Sequence, residues 1–281
     1  LATVLRFVFW NHEESRLRAG WRLFTQAALN ILLILILSFP FGIRFNQSVS
    51  SAHPSFDMIR ALLRLAATGF SVWIAGRLLD RRRFSDFGLQ IDRYWWTDFL
   101  FGLLLGALPS TVVFLMAYRL GWLSISSVFS SGIGDLAFPA AILMPLIQLI
   151  CVGIYEELFS RGYQLKNLAE GLRSQRIPAS WALSCSTLLT SLFFGFLHFL
   201  GEDVSVVSIV FIVIAGVVLA LGYLLTGRLA IPIGYHIAFN FFYSHVFGLP
   251  DGGQVAGTSF ITIRMNVPPT HPVFNYGLYF L

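Results

Sequence analysis

Residues 136–161 read LAFPAAILMPLIQLICVGIYEELFSR. Twenty residues, Leu136 to Tyr155, carry no charge, and the run then closes on two adjacent carboxylates, Glu156 and Glu157, with Arg161 four positions after the second. As a helix such a run is about 30 Å long, the thickness of a hydrocarbon core. The same pattern recurs outward in both directions, giving seven apolar spans at about Phe24 to Ile43, Met58 to Leu79, Phe99 to Tyr118, Leu136 to Tyr155, Ala179 to Leu200, Val204 to Leu225 and Leu229 to Phe247. A tail from Pro272 to Leu281 reads as the start of an eighth. The chain begins without Met and stops inside this tail, so it reads as a fragment.

Composition agrees with a bilayer as solvent. Of 281 residues 56% are hydrophobic and 12% charged, half the roughly 25% charged of a soluble domain, and the mean hydropathy is +0.73. A single soluble core cannot hide that much apolar surface, which excludes an ordinary soluble enzyme. The expected class is an all-α polytopic integral membrane protein. Cys151 and Cys185 are too few for a disulfide framework and read as small buried hydrophobes. A net charge of +5 suggests no nucleic-acid partner, because the basic residues sit in short clusters between the spans, the pattern that sets membrane orientation.

With the N-terminus in the cytoplasm, Arg6, Arg16, Arg18, Arg22, Arg77, Arg81, Arg82, Arg83, Arg93, Arg161, Lys166, Arg173, Arg176 and Arg228 all fall inside, and only Arg44, Arg119 and Arg264 fall outside. Residues 1–23 read as an amphipathic helix on the cytoplasmic surface, anchored by Trp10 and Trp21, ahead of one membrane domain over 24–281. It lacks the apolar stretch and small-residue cleavage site of a signal peptide. Within the spans, Gly102 and Gly106, and Gly216 and Ala220, suit close helix packing. Arg60 and Arg64 in the second span are expected to snorkel toward the outer interface rather than face a cavity. Glu13 and Glu14 read as surface charge.

Polar groups at membrane depth usually mark a site or a paired network. They fall in three places: Glu156, Glu157 and Arg161; Phe194 and His198; His236 and Asn240. At 100° per residue Glu157 and Arg161 share a helix face and pair, whereas Glu156 points elsewhere and is the freer carboxylate. His236 and Asn240, one turn apart, project toward one place. Glu156 and His198 lie at similar distances from the Arg173 to Pro178 segment, so a hairpin there brings them to comparable heights. The link Thr226 to Leu229 sets the seventh helix antiparallel beside the sixth. A carboxylate and an imidazole can take a proton from water, and an imidazole with an amide N–H can hold an oxyanion, so the set suits amide hydrolysis. Phe194 reads as a packing residue one turn before His198. His12, His53, His245 and His271 read as structural or solvated.

These residues resemble the motifs of the CAAX protease and bacteriocin-processing family of intramembrane proteases, which includes the type II CAAX prenyl endopeptidases. Glu156-Glu157-x-x-x-Arg161, Phe194-x-x-x-His198 and His236-x-x-x-Asn240 stand in the family's order. Arg83 to Leu89 and Phe247 to Pro250 resemble flanking family segments, so the likeness covers about 83–251. The resemblance implies about eight helices around a polar cavity and peptide-bond hydrolysis in a membrane-associated protein or peptide. By that pattern Glu156 and His198 activate water, His236 and Asn240 hold the oxyanion, and Glu157, Arg161 and Phe194 support them. It implies no metal or cofactor. Two alternatives stay open: a zinc-dependent protease using one carboxylate and two imidazoles, and a non-catalytic member that binds a regulatory partner. A transporter fits less well, since repeats and paired broken helices are missing. The Arg-rich, nearly Lys-free composition leans toward a bacterial plasma membrane.

Overall fold

A computed structural model of the chain describes residues 8–12, 14–41, 54–174, 176–199, 206–250 and 257–267. The seven expected apolar stretches are helical where they are described, and eight α-helical elements lie among the described residues. They are α1 (Ala19–Ser38), α2 (Pro54–Ala75), α3 (Arg93–Arg119), α4 (Phe138–Glu157), α5 (Lys166–Leu172), α6 (Ala179–Phe199), α7 (Val206–Thr226) and α8 (Ala230–Asn240), where α4 and α5 belong to one continuous rod, Phe138–Leu172. Six helices among the described residues are long and apolar enough to cross a membrane, and the chain is an integral membrane protein. The expected eighth span lies outside the described residues.

Local signals set the helix ends. The Asp92 carboxylate accepts from the Trp95 N–H at 2.7 Å and starts α3, satisfying one of the donors that every helix N-terminus leaves open. Pro139 occupies the first turn of α4, where its missing N–H costs nothing. Gly227, at φ +67°, turns the chain between α7 and α8.

Among the described residues three helical segments are wound as π-helix: Gly76–Asp80 after α2, Leu158–Leu165 between α4 and α5, and Phe241–Val246 after α8. The second begins immediately after Glu157 and the third immediately after Asn240. Such widened turns recur at functional sites.

α8 packs most extensively on α3 and also touches α4 and α7. A side chain on Gly106 would collide with the Tyr235 backbone, one on Gly102 with that of Ile231, and one on Gly234 with that of Phe99 and Leu103. Glycine on both helices therefore lets the backbones meet, and α8 sits between α3 and the helices that carry the other motifs. Gly216 of α7 likewise lies against Ser191 of α6, where an added Cβ would stand 3.0 Å from the serine Cβ.

The N-terminal segment differs from the expected surface helix. Trp10–Asn11 (β1) pairs antiparallel with Arg16–Leu17 (β2), and the apolar helix starts at Ala19, ahead of the expected boundary at 24. Long-range partners hold the ribbon. Arg16 bonds Glu14 at 3.0 Å and Glu170 at 3.0 Å, and Trp21 stacks on Phe9 with centroids 4.4 Å apart. Glu14 is thus an ion-pair partner rather than a free surface charge. Behind it, fully buried Arg22 binds Asp80 and Asn167, and Arg82 binds Glu170.

A second ribbon joins β3 (Leu123–Ser130) to β4 (Ser259–Met265), antiparallel, with Leu123 opposite Met265 and an irregularity between Ile125 and Ser127. It closes over one end of α3, with Val113, Phe114, Leu123, Tyr243, Leu249 and Ile263 forming a common apolar cluster. Nothing in the sequence reading anticipated this cap. Cys151 is buried as expected, but Cys185 is exposed, because its helix turns that face outward.

Candidate functional site

Glu157 is the centre of the cluster. It ends α4 with its side chain fully buried, and its Oε1 accepts twice: from Arg161 Nη1 at 2.8 Å and from His236 Nδ1 at 2.9 Å. The first contact is the expected pair one turn apart. The second joins the first motif to the third, across α4 and α8. A buried carboxylate needs such partners, since an uncompensated charge in low dielectric is costly.

Arg161 is itself buried and uses its other arm on α7, donating from Nη2 to the Gly216 carbonyl at 3.0 Å. Its guanidinium carbon lies 4.6 Å from the centroid of the Phe194 ring. Phe194 therefore does more than pack. Its ring also contacts His198, at 4.6 Å between centroids, and His236 edge-on at 6.4 Å, so one aromatic side chain touches a residue of each motif. Arg161 lies within the π-helical turn that leads from α4 to α5.

The two imidazoles are held differently. His198 sits one turn after Phe194, and its Nδ1–H donates to the Phe194 carbonyl at 2.8 Å, which leaves Nε2 as the free acceptor. His236 spends Nδ1–H on Glu157 and turns Nε2 toward Glu156 Oε2, at 3.8 Å. That separation is longer than a hydrogen bond, and two groups this far apart can share one water molecule.

Glu156 is the more accessible carboxylate, with its side chain 20% exposed against 0% for Glu157. The two adjacent glutamates thus have separate environments: one buried between a guanidinium and an imidazole, the other partly exposed and facing the second ring nitrogen of His236. Asn240 closes α8 one turn after His236 and is half-buried. Among the described residues no three His, Cys, Asp or Glu side chains are arranged to hold a metal ion.

Arg60 of α2 departs from the expected snorkelling path: it pairs with Asp57 at 2.6 Å on the buried face of the helix, with its side chain 13% exposed. Arg64 is half-buried. The available signal was periodicity: Asp57, Ala61, Thr68 and Ser71 are buried small or polar residues on the same face of α2, and Arg64 falls in register with them.

Residues 138–242 match the model of a family described as type II CAAX prenyl endopeptidase, Rce1-like. All three motifs lie within the matched segment, while α2 and α3 lie outside it. A search of the curated proteins and a search of the solved structures each find no match to the chain.

Proposed function

We propose that this chain, which belongs to the CAAX protease family through residues 138–242, is an intramembrane glutamate-type endopeptidase that hydrolyses a peptide bond in a membrane-associated protein or peptide. The observation that carries the reading is the joining of the three motifs through Glu157 and Phe194.

In this reading Glu156 and His198 activate water. Glu156 is the open carboxylate, and His198 Nε2 is left as an acceptor by the bond from Nδ1 to Phe194. A base of either kind must reach the proton that it removes. His236 and Asn240 hold the oxyanion. With Nδ1–H anchored on Glu157, the imidazolium form of His236 presents Nε2–H toward the same space that Glu156 borders, and preorganised donors of this kind are the larger part of such catalysis. Glu157 and Arg161 position His236 and do not react. The basic clusters favour a cytoplasmic N-terminus, and the Arg-rich, nearly Lys-free composition favours a bacterial plasma membrane.

The test is cleavage by purified, detergent-solubilised protein of a fluorescent peptide bearing a farnesylated cysteine three residues before a free C-terminus, together with profiling of membrane peptides from cells. Glu156→Ala and His198→Ala are expected to lose cleavage while keeping the wild-type elution profile and helicity. Full activity in Glu156→Ala refutes the assignment. Stoichiometric zinc, with activity lost to a chelator and restored by zinc, selects the metal-dependent version instead. A cellular phenotype fully rescued by Glu156→Ala selects the non-catalytic member that binds a partner.

A further inference from the structure

α7 bears none of the three motifs, yet one of its backbone groups enters the buried cluster: Arg161 Nη2 donates to the Gly216 carbonyl at 3.0 Å. An arginine facing a carboxylate frequently donates two parallel N–H bonds, one to each oxygen. Arg161 does not. Its Nη1 goes to Glu157 Oε1 and its Nη2 to α7, and among the described residues Glu157 Oε2, although buried, accepts no hydrogen bond. Oε1 serves both Arg161, at 2.8 Å, and His236 Nδ1, at 2.9 Å.

The Gly216 carbonyl therefore competes with Glu157 Oε2 for the guanidinium. A helix carbonyl has a second lone pair for such a donor. With that carbonyl out of reach, the planar fork would swing onto both oxygens of Glu157, and the carboxylate would turn with it, away from His236 Nδ1. What brings the carbonyl into reach is the close approach of α6 and α7. A Cβ on Gly216 would stand 3.0 Å from Ser191 Cβ, 3.1 Å from its Oγ and 3.2 Å from its Cα, tight enough to force the two sides apart by a few tenths of an ångström. Ser191 is 1% exposed. One turn after it on α6, the Phe194 ring lies 4.6 Å from the guanidinium carbon and bounds Arg161 from a second direction. Outer partners of this kind fix the orientation of reacting groups.

We propose that Gly216 is a positioning residue: its carbonyl takes the second arm of Arg161, which limits the Arg161–Glu157 pair to one hydrogen bond and keeps Glu157 Oε1 turned to His236. The inference rests on the reading of His236 as a holder of the oxyanion. It gives α7 a part in the site beyond that of a packing partner.

The variants are Gly216→Ala, Ser191→Gly and the two together, all in the full chain. With the farnesylated peptide, Gly216→Ala is expected to lower kcat about tenfold with KM little changed, the effect of a small misplacement of a group that acts in the transition state. Ser191→Gly alone should keep the wild-type kcat. Added to Gly216→Ala it should restore most of the loss, because it removes both side-chain atoms that the new methyl meets. A second readout does not depend on cleavage. In 15N NMR of histidine-labelled protein, the His236 Nδ1 signal, assigned from its loss in His236→Gln, should move in Gly216→Ala and return to the wild-type position in the double variant. If Gly216→Ala does not fold, Ser191→Val presses on the same contact from α6 and is expected to give the same loss of kcat and the same displaced signal. An unmoved His236 signal in the folded variant, a raised KM at unchanged kcat, or a double variant as impaired as Gly216→Ala would each overturn the proposal. Should Glu156→Ala still cleave, the protease assignment fails, while the His236 signal still decides the role of Gly216.

Discussion

Replacing Arg161 with alanine removes a guanidinium that is 2% exposed and makes three contacts: Glu157 at 2.8 Å, the Gly216 carbonyl at 3.0 Å and the Phe194 ring at 4.6 Å. The dominant effect is on what remains. Glu157 has a fully buried side chain and is left with the His236 Nδ1–H as its remaining partner, and breaking a buried pair from one side costs about 3–5 kcal/mol because the other charge loses its compensation. The lost bond to Gly216, from a charged donor, is worth about 1.5–3 kcal/mol, and the contact with Phe194 about 0.5–2 kcal/mol. These effects share one side chain and are not additive, so the expected loss is about 4 kcal/mol, set mainly by the carboxylate that loses its compensation. Removing both members of the pair in Arg161→Met with Glu157→Met should cost less than Arg161→Ala alone, since the buried carboxylate goes with its partner and only the His236 Nδ1–H is left without an acceptor. The assay is equilibrium unfolding of the purified protein by SDS in mixed micelles, followed by helicity. A loss below about 1 kcal/mol in Arg161→Ala, the range of a solvated pair, would refute the burial argument. So would a double variant less stable than the single one.

Other consequences are equally direct. Gly106→Leu is expected to abolish the stable fold, because its side chain meets the Tyr235 backbone where α3 and α8 touch; expression with wild-type elution from a sizing column would contradict this. The N-terminal ribbon should respond to acid. The side-chain hydrogen bond from Arg16 holds the Glu14 carboxyl below its usual range. A depressed folded-state value means that the stabilisation is complete above the unfolded-state value, about 4.3, and is lost as pH falls through the lower folded one. Trp21, stacked on Phe9, reports it: its emission should change on acidification in that window, and Arg16→Gln should move the change to higher pH.

The seven apolar stretches and the residues of the three motifs were legible from sequence because each is a local property. A bilayer imposes about 20 apolar residues per span, and helical periodicity alone makes Glu157 the partner of Arg161. That same periodicity separated Glu156 from Glu157, and the structure gives the two carboxylates different surroundings.

What sequence could not decide was which helices meet. The bond from His236 to Glu157 joins residues 79 positions apart, and it depends on α8 lying in a slot that the glycines of α3 open. The ribbon of β1 and β2 replaced an expected surface helix because Arg16 finds Glu170, 154 positions away, and α2 turned Arg60 inward because Asp57 neutralises it there. Apolar length and charge placement are paid in transfer free energy residue by residue, so the chain alone determines the spans and the short list of polar groups at membrane depth. The pairing of those groups depends on close approach between distant helices, and only the tertiary structure decides it.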